Sequence, residues 1–469
     1  MRKLILITAV ILFVFVHLVG AVSSQHPDQL TFPPLELSFP QIEDYQTVNG
    51  MNVYFKTDEE LPLVDLTVMI RGGSIHDPLE KIGLAQLFSR SLETGGTKNY
   101  TPEQLEQELD LMAAELTVSN SSYSYQVDLS IHQRDLTRAM EILADLLRRP
   151  RFDDDRVELA RQQLIASVHR RNDRPAGIAG RYLAQAVNPG HPFGLEPVLE
   201  TVNNLSREDL HAVHERFFQP QHLWWGVSGA VTEEQFSALL SRHFADWSRH
   251  AEVDQEFPPL PEPLDAATYV VDRKLSQTTL MMGHRGISKD NPDLHAVRLA
   301  NYILGGGGFN SRLMREIRSN RGLAYSIYSR FQPGRYLPEL FTVAGETRND
   351  SAIEVMRLVR RLIDEMREVP VSSEEIESAK RSLINSFIFA FENTHAVVTQ
   401  KMRLDFYSYP DDYLESYQER IEALTAADVQ RVARFYLQPE RLHVVLVGDS
   451  DILLADLDDD DDIVVIELD

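Results

Sequence analysis

Arg318 and Tyr325 stand seven residues apart in Arg318-Ser319-Asn320-Arg321-Gly322-Leu323-Ala324-Tyr325. A phenol hydroxyl can donate to a carbonyl oxygen as that oxygen becomes an oxyanion. A guanidinium fork can hold a neighbouring carbonyl and keep positive charge beside it. The same two residues could equally be a surface arginine and a half-buried strand tyrosine. Upstream, Gly305-Gly306-Gly307-Gly308 leads into Phe309-Asn310-Ser311-Arg312-Leu313. Consecutive glycines permit positive φ and close backbone approach, as in a tight turn between helices or a loop that meets a ligand. A phosphate-binding loop would need a following Gly-Lys-Ser/Thr, which the sequence lacks.

Other chemistries are poorly served. The chain has no cysteine, which removes thiol nucleophiles, thiolate zinc sites and disulfides together. No Gly-x-Ser-x-Gly occurs. His211-Ala212-Val213-His214-Glu215 puts two histidines on one helix face, but a zinc site needs a third ligand and an open position. That segment also matches Gln430-Arg431-Val432-Ala433-Arg434 in an internal repeat, which reads as an ordinary amphipathic helix.

The elements that carry these residues are arranged twice. Leu205-Ser206-Arg207-Glu208-Asp209-Leu210, then Arg216-Phe217-Phe218-Gln219-Pro220, precede a strand reaching Gly229. Leu424-Thr425-Ala426-Ala427-Asp428-Val429, then Phe435-Tyr436-Leu437-Gln438-Pro439, precede one reaching Gly448. The offsets 424 − 205, 439 − 220 and 448 − 229 all equal 219. The chain is therefore read as two related units. Leu63 to Arg71 alternates apolar residues as a half-buried strand, and Ser122 to Ile131 does so again. Thr101-Pro102-Glu103-Gln104 is a capping-box helix start, echoed by Ser372-Ser373-Glu374-Glu375. Strands are expected near Thr278–Met282 and Leu340–Ala344. The fold class is α+β, with helices over one face of each sheet. The expected segments are 1–21, 22–44, a first half 45–249 with strands from about Gly50, a linker 250–263, a second half 264–450, and an acidic tail 451–469. The Pro-rich linker is expected to join the halves without entering either core.

The composition is that of a soluble protein, 43% hydrophobic and 25% charged, over 469 residues. A net charge of −25, from 46 basic and 71 acidic residues, argues against nucleic acid as a partner. Arg2 and Lys3 precede an apolar run from Leu4 to Phe15, which resumes after His17, and Val19-Gly20-Ala21 offers a small-residue cleavage site. This is the pattern of a signal peptide, so an exported chain, periplasmic or extracellular, is expected. An uncleaved membrane anchor is the alternative.

The block Leu304–Tyr328, with Arg71-Gly72-Gly73-Ser74 and Gly95-Gly96-Thr97-Lys98-Asn99, resembles the M16 (pitrilysin/insulinase-like) peptidase family over nearly all of residues 45–450. The resemblance implies two homologous α/β-sandwich halves of the LuxS/metallopeptidase-like fold. It implies Arg318 and Tyr325 as catalytic residues and Gly305, Gly306, Gly307, Gly308 and Phe309 as a substrate-binding loop. It also implies a zinc motif, His-x-x-Glu-His, between Gly83-Leu84-Ala85 and Gly95-Gly96-Thr97. There the histidines are replaced by Gln86 and Arg90 and the general base by Ser89. Glu158 best matches the family's third ligand, and an ion pair with Arg90 would then replace the metal. This chain is thus expected to bind no zinc itself. It resembles the Arg/Tyr-motif subunit of two-chain M16 peptidases and of mitochondrial processing peptidase. The expected partner is an M16 subunit bearing the intact motif and zinc, and the expected substrate is a peptide or unfolded polypeptide. A structural or peptide-binding homologue without catalytic role is the other reading.

Overall fold

Two six-stranded sheets, alike in the order of five of their strands, build the described part of the protein. The computed structural model describes residues 41–249, 256–458 and 462–468. The expected signal segment 1–21, residues 22–40 of the lead and 250–255 of the linker lie outside the described residues. The first sheet comprises β1 (Glu43–Gln46), β2 (Asn52–Thr57), β3 (Leu63–Arg71), β4 (Glu115–Asn120), β5 (Ser124–His132) and β6 (Leu223–Gly229), in the order β1-β2-β6-β3-β5-β4. The second comprises β7 (Thr268–Asp272), β8 (Gln277–Arg285), β9 (Ala324–Phe331), β10 (Leu340–Arg348), β11 (His443–Gly448) and β12 (Ile463–Ile466), in the order β12-β7-β11-β8-β10-β9. β2 and β6 run parallel, as do β7 and β11 in the same places. The repeat persists in the helices. Arg207–Phe217 and Ala426–Tyr436 differ by 219 at both ends (426 − 207, 436 − 217).

Local signals act as the sequence suggests. Thr101 caps the Pro102–Met112 helix through a capping box with Gln104, and Ser372 caps Ser373–Phe387 through one with Glu375. Each satisfies two backbone N–H groups that a helix start leaves unpaired. On β3, Val64, Leu66, Val68 and Ile70 enter the main core of the first half, beneath helices such as Leu84–Thr94 and Leu136–Arg148.

The other sheet face departs from expectation. Thr67 and Met69 on β3 are buried as well, so this strand is not half-buried. They are covered by the Thr394–Phe406 helix, which belongs to the second half and lies across β6 and β2. Its counterpart in the first half, Pro175–Val187, lies across β8 and β11 of the second sheet. These helices are themselves repeat mates, since 394 − 175 and 406 − 187 both equal 219. Each half thus roofs the other's sheet, and both lie in one compact unit. Ile178, Leu183 and Val187 pack against Val271, Val445 and Val447. Across the first sheet, Val398, Met402 and Phe406 join Tyr54 and Met69 in a shared core. Polar side chains fix the register there. His395 sits between Thr67 Oγ1 at 3.0 Å and Ser228 Oγ at 2.9 Å, and the Tyr54 hydroxyl donates to Asp405 at 2.8 Å.

Three boundary expectations change. A strand precedes Gly50, because β1 pairs antiparallel with β2. The linker enters a core: the Phe257 ring lies 5.2 Å from Tyr123 and 5.0 Å from Tyr336, one from each half. An aromatic ring next to an apolar seam is better buried than solvated. The segment expected as an acidic tail contains the helix Ser450–Asp456 and β12, whose apolar residues extend the second sheet beside β7. Among the described residues no helix is long and apolar enough to cross a membrane.

The exchanged helices make a direct prediction. Leu183→Ala, in the first half, should cost about 2–5 kcal/mol in urea unfolding, the range for emptying a buried leucine site. It should also lower hydrogen-exchange protection of β8 and β11 in the second half. Unchanged protection there would show that this helix does not brace that sheet.

Candidate functional site

The first candidate region is the Leu84–Thr94 helix. Gly83, with φ 106°, turns the chain into it. The buried Asp77 carboxylate accepts from the backbone N–H groups of Gly83 and Ala85, each at 3.1 Å. Burial pushes this carboxyl up to about 7, against the opposing pull of those N–H groups. Leu87 and Phe88 face the core, which leaves Gln86 and Arg90 exposed on one helix face, a turn apart. Ser89 is buried and donates to the Ala85 carbonyl at 3.0 Å.

The expected ion pair between Arg90 and Glu158 does not form. Arg90 Nη1 donates to Gln163 Oε1 at 3.2 Å. Glu158 is engaged on its own helix, Asp154–His169, by Arg161 at 3.0 Å and Gln162 at 2.7 Å. Residues three and four positions on are its nearest helical neighbours, and that contact wins over one across the helices. Gln86, Ser89 and Arg90 do not fit a zinc ion. Glutamine and serine are poor ligands, and a guanidinium has no free lone pair and carries the metal's own charge. Among the described residues no group of three or more His, Asp or Glu side chains is placed to hold a metal ion. The His211/His214 pair is structural. His214 is largely buried, lies 2.9 Å from the Leu147 carbonyl and stacks on Phe218. Burial lowers its pKa to about 4, so it stays neutral.

The second region brings the predicted residues together. The chain passes through a wide helical turn at Tyr302–Gly306, a short 3₁₀ turn at Gly308–Asn310 and a second wide-turn segment at Met314–Asn320 before entering β9. The Arg318 guanidinium lies over two rings at once, 4.6 Å from the centre of Phe309 and 4.8 Å from that of Tyr325. Both rings are open to solvent, Phe309 at 67% and Tyr325 at 80% exposure. A cation over ring faces is attracted to them, and a guanidinium carries several N–H donors besides.

The scaffold explains this exposure. Leu313, Met314 and Ile317 point into the core, which turns Arg318 outward. Gly322, at φ 64°, closes the helical segment, with its N–H donating to the Arg318 carbonyl at 2.9 Å and that of Leu323 to Ile317 at 2.9 Å. β9 then pairs with β10 irregularly: Ala324 faces Thr347 and Ser326 faces Glu346, so Tyr325 is an extra residue between them. A bulge of this kind re-aims a side chain. Farther along β9 the residues in step with Tyr325, Ile327, Ser329 and Phe331, are all buried. The bulge is what brings Tyr325 out. The sequence spacing gave no sign of it.

The glycine segment is less a free loop than its composition suggests. A Cβ on Gly305 would clash with the Ser329 backbone nitrogen, so this position packs tightly against β9. Gly308, at φ 59° with open space around it, makes the turn that presents Phe309. Arg312 anchors the far side through a two-pronged pair with Glu375, at 2.9 and 3.0 Å. That clamp was not among the expected site residues. Its signal was the capping-box glutamate itself, which serves the helix start and the arginine together.

Comparison with known proteins agrees with this fold. The family profile described as "Insulinase (Peptidase family M16)" matches residues 52–197, and "Peptidase M16 inactive domain" matches residues 204–383. An uncharacterized zinc protease of Mycobacterium leprae is 26% identical over 393 residues, covering 80% of this chain and 85% of the relative. An uncharacterized zinc protease of Bacillus subtilis is 20% identical over 396 residues, covering 83% and 94%. A crystal structure of a peptidase M16 inactive domain from Pseudomonas fluorescens superposes with a TM-score of 0.79 at 24% identity, covering 88% of this chain and 98% of that one. A protease from Helicobacter pylori gives 0.78 at 20% identity, covering 88% and 100%. The chain belongs to peptidase family M16.

Asp77 supplies a pH prediction. Its folded carboxyl, raised from the ordinary 3.8 to about 7, holds a proton more tightly than in the unfolded chain. The folded state therefore binds more protons across that window, and this group's contribution to stability falls as pH rises through it. The melting temperature of the wild type should drop relative to Asp77→Asn as pH rises from about 5 to about 7 and level off above that. A constant difference would show that Asp77 does not titrate there.

Proposed function

We propose that this chain is the non-catalytic, substrate-binding subunit of a heteromeric zinc metalloendopeptidase. The observation that carries the reading is the contrast between its two halves. The positions expected to hold zinc carry Gln86, Ser89 and Arg90, with Arg90 turned to Gln163. Arg318 and Tyr325 stand assembled on an exposed surface, one on the other. A chain that had lost all use for substrate would gain nothing from a bulge that exposes a tyrosine beside an arginine.

In this reading the hydrolytic centre belongs to a second M16 chain with an intact His-x-x-Glu-His motif and its zinc. Tyr325 would donate its hydroxyl to the scissile carbonyl as negative charge builds on the oxygen. Arg318, held over two rings, would donate to an adjacent substrate carbonyl. The turn at Gly308 and the Phe309 ring would border the bound chain. The substrate would be an extended peptide or unfolded polypeptide. Pairing along a sheet edge would give affinity through main-chain bonds without strong sequence demand.

Two outcomes are expected. The purified chain alone should bind no stoichiometric zinc and cleave no peptide. One zinc per chain with chelator-sensitive cleavage would overturn that. In the complex with its zinc-bearing partner, Tyr325→Phe should slow turnover by roughly 10²–10³ while assembly is kept, the usual cost of one lost oxyanion donor. Arg318→Ala should weaken both binding and turnover. Unchanged kinetics for both variants in a verified heteromer would favour a structural or peptide-binding homologue instead.

A further inference from the structure

We propose that the outer edge of β12, which pairs with no further strand among the described residues, is a docking strand for a basic, extended segment of another protein. β12 ends the second sheet and pairs on one side with β7, in parallel register from Ile463 opposite Thr268 to Ile466 opposite Val271. The Thr268 N–H donates to the Asp462 carbonyl at 2.7 Å. In a parallel ladder alternate residues of a strand bond to the same neighbour. Val464 and Ile466, in step with Asp462, therefore turn their backbone groups toward β7. Ile463 and Val465 turn theirs to the open edge.

The side chains there are unusual for an unprotected edge. Four β-branched apolar residues run in succession, and Ile463, Val464 and Val465 are 36%, 42% and 53% exposed. Proteins commonly blunt such edges with charge, proline or bulges, and an edge left apolar and open pairs readily with another strand. The matching place in the first sheet is blunted. There β1 reads Glu43-Asp44-Tyr45-Gln46 and is mostly polar.

Charge selects the occupant. In sequence, β12 follows aspartates at 458–462 and precedes Glu467 and Asp469, in a chain of net charge −25. Two copies pairing edge to edge would bring these acidic flanks within a screening length of each other, about 8 Å at physiological salt. Like charges set side by side cost affinity, while lysines or arginines on either side of an apolar strand would be attracted to the same flanks. The fitting partner is an extended segment with alternating β-branched residues and basic ends, on a different protein. This inference does not rest on the proteolytic reading and stands or falls apart from it.

The test uses the full chain and a fluorescent probe peptide, Lys-Lys-Val-Thr-Val-Thr-Val-Lys-Lys, with a control in which glutamates replace the lysines. Anisotropy should show binding of the basic peptide, weakening as salt rises, and none of the acidic one. Hydrogen exchange should show that the basic peptide protects the Ile463 and Val465 amides and leaves Val464 unchanged. Val465→Pro removes an outward N–H without touching the ladder to β7, as proline is tolerated at sheet edges. It should weaken binding about tenfold or more, whereas Val465→Thr, which keeps the N–H and β-branching, should not. Equal binding of both peptides, no protection at Ile463 and Val465, or equal affinity of the proline variant would each overturn the proposal. So would self-association of the free chain that Val465→Pro abolishes, since the occupant would then be a second copy.

Discussion

A sheet has two faces, and in this protein neither half can cover both of its own. Each first covers one face with its local helices and then depends on a helix from its repeat mate for the other. The buried positions on β3 record this in alternation, with Leu66 and Val68 serving one core and Thr67 and Met69 the other. Because the two crossing helices are repeat equivalents, the exchange is reciprocal. It joins the halves through apolar packing and through buried polar contacts such as His395 with Thr67 and Ser228. Such contacts are costly to break one partner at a time, which favours a single relative placement of the halves. The fixed positions of both candidate regions follow from that placement.

Within this frame the two halves have diverged in what they present. The Leu84–Thr94 helix keeps its start, with Asp77 at the N-terminal amides and Phe88 in an aromatic cluster with Tyr125, Phe152 and Phe218. Its outer face carries residues without metal chemistry. The segment before β9 invests in geometry: a tight packing at Gly305, a turn at Gly308, an ion-paired Arg312 and a bulge at Tyr325. Both places have a defined local structure, and they differ in the residue types they present.

Much of this was legible in the sequence wherever the signal was local. Thr101 with Gln104 and Ser372 with Glu375 marked helix starts because capping depends on residues three apart. The constant offset of 219 marked the repeat, and the matching sheets follow from it. The pairing of Arg318 with Tyr325 was legible only through the resemblance to the family's motif. What escaped depends on distant parts of the chain. No periodicity within Pro175–Val187 says which sheet it will cover. The family resemblance pointed to Glu158 beside Arg90, but its neighbours Arg161 and Gln162 claimed it and Gln163 took the contact. The acidic composition at the C-terminal end obscured Ile463–Ile466, whose apolar run is short but sufficient for a strand beside β7.

The bulge at Tyr325 shifts where the information for this site resides. In a strand the facing of a side chain is set by counting, since successive residues alternate sides. With one residue fewer between Gly322 and Ser326, the strand would pair regularly and the tyrosine would lose the outward position beside Arg318. The motif is therefore encoded in chain length as much as in residue identity. A single deletion there would erase the site while leaving every named residue type in place.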